Sequence, residues 1–143
     1  MDFPPAKLLI VDDSRMVRER LVALAAEIPG LTLVGAAATA AEAILVFDRE
    51  KPGAVVLDIG LPEVDGLAVL RHIRRQTSAA VVLIFTGQSS PEMVQSCRAL
   101  GANQVFDKSA DLDSLFDALS RLGAGENPDG ATLAPVADQL GGR

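Results

Sequence analysis

The chain has 143 residues, 49% of them apolar, and a formal charge of -6 at pH 7. That length and apolar content suit a single domain with a core of its own, and the acidic balance argues against a nucleic-acid surface, because binding phosphate backbones takes a basic footprint. The one cysteine, Cys97, excludes a disulfide framework and suits a reducing compartment, while the short apolar run after Lys7 is neither a signal peptide nor a membrane span, so a soluble, cytoplasmic protein is expected.

Strand-like and helix-like runs alternate along the chain. Residues 8–11, Leu-Leu-Ile-Val, form the first strand, and Ser14 is placed to cap a helix on which Val17, Leu21, Leu24, Ala25 and Ile28 recur at helical spacing. Pro29 and Gly30 stop it. The second strand is expected over 31–34, then a helix over 40–50 capped by Thr39 and ended by Pro52 and Gly53. The third strand spans 54–57. A loop with Pro62 and Gly66 leads to a helix over 67–75 with Leu67, Leu70 and Ile73 inward. The fourth strand covers 80–85. Ser89 or Ser90 caps the next helix, Pro91 suits its first turn and Gly101 closes it. A shorter fifth strand covers 104–106, and a final helix over 111–122 turns Leu112, Leu115, Phe116, Leu119 and Leu122 inward. Residues 123–143 hold five glycines, two prolines and no aromatic residue. They read as a flexible tail with at most a helical turn over 136–140, too short for a helix-turn-helix module.

Five strands separated by such helices form a doubly wound parallel sheet with right-handed crossovers and helices on both faces. Ligands bind such sheets outside the carboxyl ends of the strands, where strand order reverses. In the flavodoxin-like order 2-1-3-4-5 that point lies between strands one and three, which end in Asp12-Asp13 and Asp58. Strands apolar on consecutive residues are buried on both faces, so carboxylates belong only where they emerge into a cleft. Three carboxylates gathered there repel each other unless a cation or protons compensate. An oxygen-only ligand set favours Mg²⁺ over zinc. Thr86 and Lys108 stand at the ends of strands four and five.

Singly, each of these residues has a plainer reading. An Asp pair after a strand is more often a helix cap, Thr86 a strand-end hydroxyl and Lys108 a solvated cation. Their joint placement is what those readings leave unexplained. His72 and the Arg71, Arg74 and Arg75 cluster read as solvated helix surface, and Cys97 as packing or surface. One His makes neither a zinc site nor a hydrolase triad. Gly101 to Ser109 ends in Lys-Ser but lacks the second glycine of a phosphate loop, and no dinucleotide fingerprint follows the first strand.

Between Lys7 and Leu122 the chain resembles the receiver domains of two-component response regulators. The matching segments are Leu9-Ile10-Val11-Asp12-Asp13-Ser14, Val56-Leu57-Asp58-Ile59-Gly60-Leu61-Pro62, Asp65-Gly66, Phe85-Thr86-Gly87, Gly101-Ala102 and Phe106-Asp107-Lys108-Ser109. The resemblance implies a receiver over 1–122 with 123–143 as its tail. It makes Asp58 the phosphoacceptor, phosphorylated by a histidine kinase or histidine phosphotransfer protein. It implies Mg²⁺ held by Asp12, Asp13, Asp58 and the Gly60 carbonyl, with Lys108 and Thr86 contacting the phosphoryl oxygens. It also implies output to a downstream protein through the last two helices and fifth strand, without an enzymatic activity beyond phosphotransfer and dephosphorylation.

The chain departs from the family pattern at two places. Three residues before the lysine the family usually has an aromatic switch residue, but here that position is Val105. Its neighbour Phe106 must face the other way, because adjacent strand residues point to opposite faces. Switching is then expected to run through Thr86 and Lys108, with Phe106 as packing. Ser109 follows the lysine where many receivers have proline. Gly60 and Gln88 match positions that tune dephosphorylation. Three alternatives remain open here: the receiver portion of a longer DNA-binding regulator, a phosphate-independent pseudo-receiver, and a Mg²⁺-dependent phosphohydrolase. For the last, the Asp-x-Asp nucleophile pair after the first strand is missing.

Overall fold

The computed structural model describes residues 6–127. Five parallel strands, β1 (Ala6–Val11), β2 (Leu31–Ala37), β3 (Ala54–Leu57), β4 (Val81–Thr86) and β5 (Gln104–Asp107), stand in the order β2-β1-β3-β4-β5. Helices α1 (Arg15–Ala26), α2 (Ala40–Glu50), α3 (Gly66–Gln76), α4 (Pro91–Ala99) and α5 (Leu112–Gly123) connect or follow them. The expected flavodoxin-like architecture is therefore the observed one.

Alternation along the strands divides the core into two layers. Leu9, Val11, Val55, Leu57, Val82 and Ile84 face α2, α3 and α4, where Val46, Phe47, Leu70, Ile73 and Cys97 meet them. Leu8, Ile10, Val56, Leu83, Phe85 and Phe106 face α1 and α5, against Leu21, Ala25, Leu115 and Leu119. Full burial of each such aliphatic side chain is worth about 1.5–3 kcal/mol. Val105 packs on the first layer and Phe106 on the second, so the two residues do face opposite ways.

Helix starts follow their caps. Ser14 Oγ accepts from Val17 N at 3.3 Å, Thr39 Oγ1 from Glu42 N at 3.1 Å, Asp65 Oδ1 from Leu67 N at 3.0 Å and Ser90 Oγ from Met93 N at 3.2 Å. Ser90, rather than Ser89, is thus the cap of α4, with Pro91 in its first turn.

Several expectations need correction. β2 runs three residues beyond Val34, because after a register shift at Leu8/Leu9 its Gly35, Ala36 and Ala37 pair with Leu9, Ile10 and Val11. Gly35 lets α2 close on the sheet: a Cβ there would lie 2.7 Å from Val46 Cγ1. Phe116, expected inward, is 36% exposed. His72 is not free surface, since its Nε2 lies 2.7 Å from Asp48 Oδ1 and its side chain is only 15% exposed. Arg74 is not solvated either. Its guanidinium donates to Gly101 O at 2.9 Å and Asn103 Oδ1 at 3.0 Å, tying α3 to the turn before β5, and burial lowers its pKa. Cys97 is fully buried. The helical turn expected over 136–140 lies outside the described residues.

Gly66 fixes how α3 leaves the β3 end. A Cβ at this position would lie 2.3 Å from the Asp58 carbonyl oxygen and 2.5 Å from Ile59 Cα, both backbone atoms that cannot yield cheaply. Gly66→Ala is therefore expected to destabilise the protein by about 1–3 kcal/mol, the usual scale of overpacking. Urea unfolding measures it, and an unchanged midpoint would contradict this packing.

Candidate functional site

The carboxyl ends of β1, β3, β4 and β5 bring the expected residues together. Backbone bonds hold their spacing: Asp12 N donates to Ala37 O at 3.0 Å, Asp58 N to Val11 O at 2.9 Å and Lys108 N to Thr86 O at 3.0 Å. Asp12, Asp58 and Thr86 are buried, whereas Asp13 is exposed at the rim. Lys108 Nζ lies 2.7 Å from Asp12 Oδ2 and donates to Asp58 Oδ2 at 2.9 Å. One ammonium thus spans two carboxylates from different strands.

The remaining lone pairs are partly occupied. Asp12 Oδ1 accepts from Ser14 N, and Asp58 Oδ1 from Gly60 N, both at 2.9 Å. Thr86 Oγ1 accepts from Gln88 N at 3.1 Å, an arrangement that leaves its hydroxyl proton free to donate. Asp12 Oδ2 is buried, with the Lys108 ammonium at 2.7 Å as its partner. Burial raises the Asp12 pKa. The Lys108 ammonium and the Ser14 N–H act against that rise, and the Asp58 charge adds to it. For Lys108, burial alone would lower the pKa, but the contacts with Asp12 and Asp58 and their charges outweigh it and raise the value.

Asp12, Asp13 and Asp58 each offer a carboxylate oxygen, and the three lie within 4.8 Å of one another. The donors are hard oxygens from three carboxylates that the one ammonium of Lys108 does not balance, so the set fits a small divalent cation of the Mg²⁺ type. The Gly60 N–H is already turned to Asp58. Gly60 also makes room for Gln88: a Cβ there would lie 3.1 Å from Gln88 Nε2 and 3.6 Å from Asp58 Oδ1. The two expected tuning positions therefore meet over the Asp58 carboxylate.

Sequence reasoning missed Arg18, which donates from Nη1 to the Asp12 carbonyl oxygen at 2.8 Å. One helical turn beyond Ser14, it braces the loop that carries the aspartate pair. Nothing in the sequence distinguishes it from Arg15 or Arg20.

The raised Asp12 pKa has a pH signature. Because the folded state holds the Asp12 proton more tightly than the unfolded chain, metal-free stability falls as pH rises from the unfolded value near 3.8 through the raised folded value, then levels. Asp12→Asn removes this contribution, so the variant gains on the wild type across that window. Urea unfolding in chelator from acid to neutral pH measures the difference, and parallel curves would contradict it.

A family model described as the response regulator receiver domain matches residues 8–120. The nitrate/nitrite response regulator protein NarL of Escherichia coli (strain K12) is 28% identical over 132 residues, 92% of this chain and 61% of NarL. A protein-glutamate methylesterase/protein-glutamine glutaminase of Anaeromyxobacter dehalogenans is 40% identical over 109 residues, 73% of this chain and 29% of that protein. The chain therefore spans less than two thirds of these curated relatives. In the crystal structure of a LuxR-family two-component response regulator from Aurantimonas sp. SI85-9A1, 86% of the solved chain aligns with 85% of this one at 35% identity and a TM-score of 0.76. A parallel sheet of this order, with acidic strand ends facing a lysine, thus accompanies a family match over most of the described residues: the chain belongs to the response regulator receiver domain family of two-component signalling.

Proposed function

We propose that the chain is a phosphoacceptor that takes one phosphoryl group at Asp58 from a histidine kinase or histidine phosphotransfer protein. The observation that carries this reading is the position of Asp58: a buried carboxylate at the β3 end, its Oδ2 held by Lys108 and its Oδ1 by Gly60 N. Asp58 attacks phosphorus in line with the departing imidazole nitrogen, which keeps the bonding electron pair. Lys108 carries a point charge to a phosphoryl oxygen, and the free Thr86 hydroxyl proton donates to another. Asp12, Asp13, Asp58 and the Gly60 carbonyl would hold Mg²⁺, which when bound neutralises charge on the phosphoryl oxygens. Gln88 over Gly60 limits water at the acyl phosphate. Gln88 lies on the loop that leads into α4 and Thr86 ends the strand before it, so occupancy of Asp58 biases the α4, β5 and α5 surface toward a downstream protein. The receiver unit is 1–122 and 123–143 its tail. The chain acts in the cytoplasm and turns over no substrate beyond its own phosphoryl group. No helix among the described residues is long and apolar enough to cross a membrane.

A second reading is favoured by one observation, the 61% span of NarL: the chain is the receiver portion of a longer DNA-binding regulator. Both readings share the Asp58 chemistry.

With Mg²⁺ and a small-molecule phosphodonor, intact-mass spectrometry should find one added phosphoryl group on the wild type and none on Asp58→Asn. Asp13→Ala should also lose Mg²⁺-dependent phosphorylation, while its stability without metal stays within about 0.5 kcal/mol of the wild type, as for an exposed side chain. An undiminished adduct on Asp58→Asn would overturn the assignment.

A further inference from the structure

Asp107 lies outside the phosphoryl site, yet it is the most heavily bonded carboxylate among the described residues. Its Oδ2 accepts from the Ser89 hydroxyl, and its Oδ1 accepts from Ser109 N at 2.7 Å and from the Ser109 hydroxyl. Its backbone N–H donates to Asp111 Oδ2 at 2.9 Å. Each partner occupies a defined place. Ser89 immediately precedes Ser90, the cap of α4, and Asp111 is the N-cap position of α5, where it makes no cap bond of its own. Asp107 is therefore bonded on one side to the entry of α4 and on the other to the entry of α5.

The same residue is locked to the phosphoryl site by the backbone. It pairs with Thr86 across β4 and β5, and it precedes Lys108, whose N–H bonds the Thr86 carbonyl. The backbone thus fixes the register of Asp107 against Thr86, while its carboxylate is held by the hydroxyls of Ser89 and Ser109. The hydrogen bonds from Ser109 and Ser89 hold its pKa down, to about 2, so it accepts them as a carboxylate across the neutral range. Val105 cannot perform such a task, being an aliphatic residue in the α2, α3 and α4 layer.

We propose that Asp107 is a positioning residue that couples the α4 entry loop to the α5 entry loop, with the Ser89–Asp107 hydrogen bond as the connection. This rests on the reading of Asp58 as phosphoacceptor. The mechanical role arises because the bond joins the two loops directly, side chain to side chain, so movement of the α4 entry begun at Thr86 reaches the α5 entry as well.

The test is hydrogen exchange on the full chain, with and without Mg²⁺ and beryllofluoride. In the wild type, exchange should change in both 87–101 and 109–123. Ser89→Ala and Asp107→Ala should keep the change over 87–101 and lose it over 109–123. Ser89→Thr, which keeps the hydroxyl, should restore both, and Ser109→Ala, which leaves the Ser89 bond in place, should respond as the wild type. Ser89 is a half-buried loop residue, so its variant decides the matter even where Asp107→Ala fails to fold. If the wild type responds in both segments and Ser89→Ala responds equally, the coupling role is wrong while the phosphoacceptor reading stands. If the wild type itself gives neither exchange change nor adduct, that reading fails and takes this one with it.

Discussion

Two carboxylates from neighbouring buried strands, Asp12 and Asp58, share one ammonium from a third, Lys108, and the structure around them is arranged to keep that contact. Removing either acid from water is costly, and placing both at one cleft adds repulsion. Lys108 compensates both at once, which is why its own pKa is raised although it is half-buried. The ammonium is on a long flexible stem, so it can follow the charge when the acids acquire another cation or a phosphoryl group.

The heights of the groups in that contact are set by the backbone. Parallel pairing of β1 with β3, β3 with β4 and β4 with β5 sets the relative heights of Asp12, Asp58, Thr86 and Lys108. The two apolar layers hold the sheet from both sides. Gly66 lets the chain after Asp58 turn back under its own backbone, and Gly60 leaves space above the carboxylate for Gln88. Small residues thus appear where the chain must pass close to the acid, and large apolar ones where the sheet must be held rigid.

Much of this was legible in the sequence because the strands are short runs of consecutive apolar residues, and the caps Ser14, Thr39 and Ser90 announce their helices locally. The end of β2 was not legible, since Gly35, Ala36 and Ala37 carry little apolar bulk, and Gly35 is there for the close approach of α2. Phe116 fits the helical period of α5, but periodicity does not tell a residue at the margin of a buried stripe from one inside it. His72 and Arg74 look like solvated charges until the fold supplies Asp48, Gly101 and Asn103 from distant segments. Asp12, Asp13, Asp58, Thr86 and Lys108 were readable as a set because each ends or follows a strand. Asp107 was not, because its partner Ser89 lies on another loop.

Lys108 therefore occupies oxygens that a divalent cation would need, so ammonium and metal would compete for Asp12 and Asp58. Calorimetric titration of Mg²⁺ into the wild type and Lys108→Met, at low ionic strength, measures this directly. Competition predicts that the variant binds Mg²⁺ more tightly, by roughly tenfold if the ammonium contributes about 1.4 kcal/mol against the metal. Equal or weaker binding in Lys108→Met would contradict it.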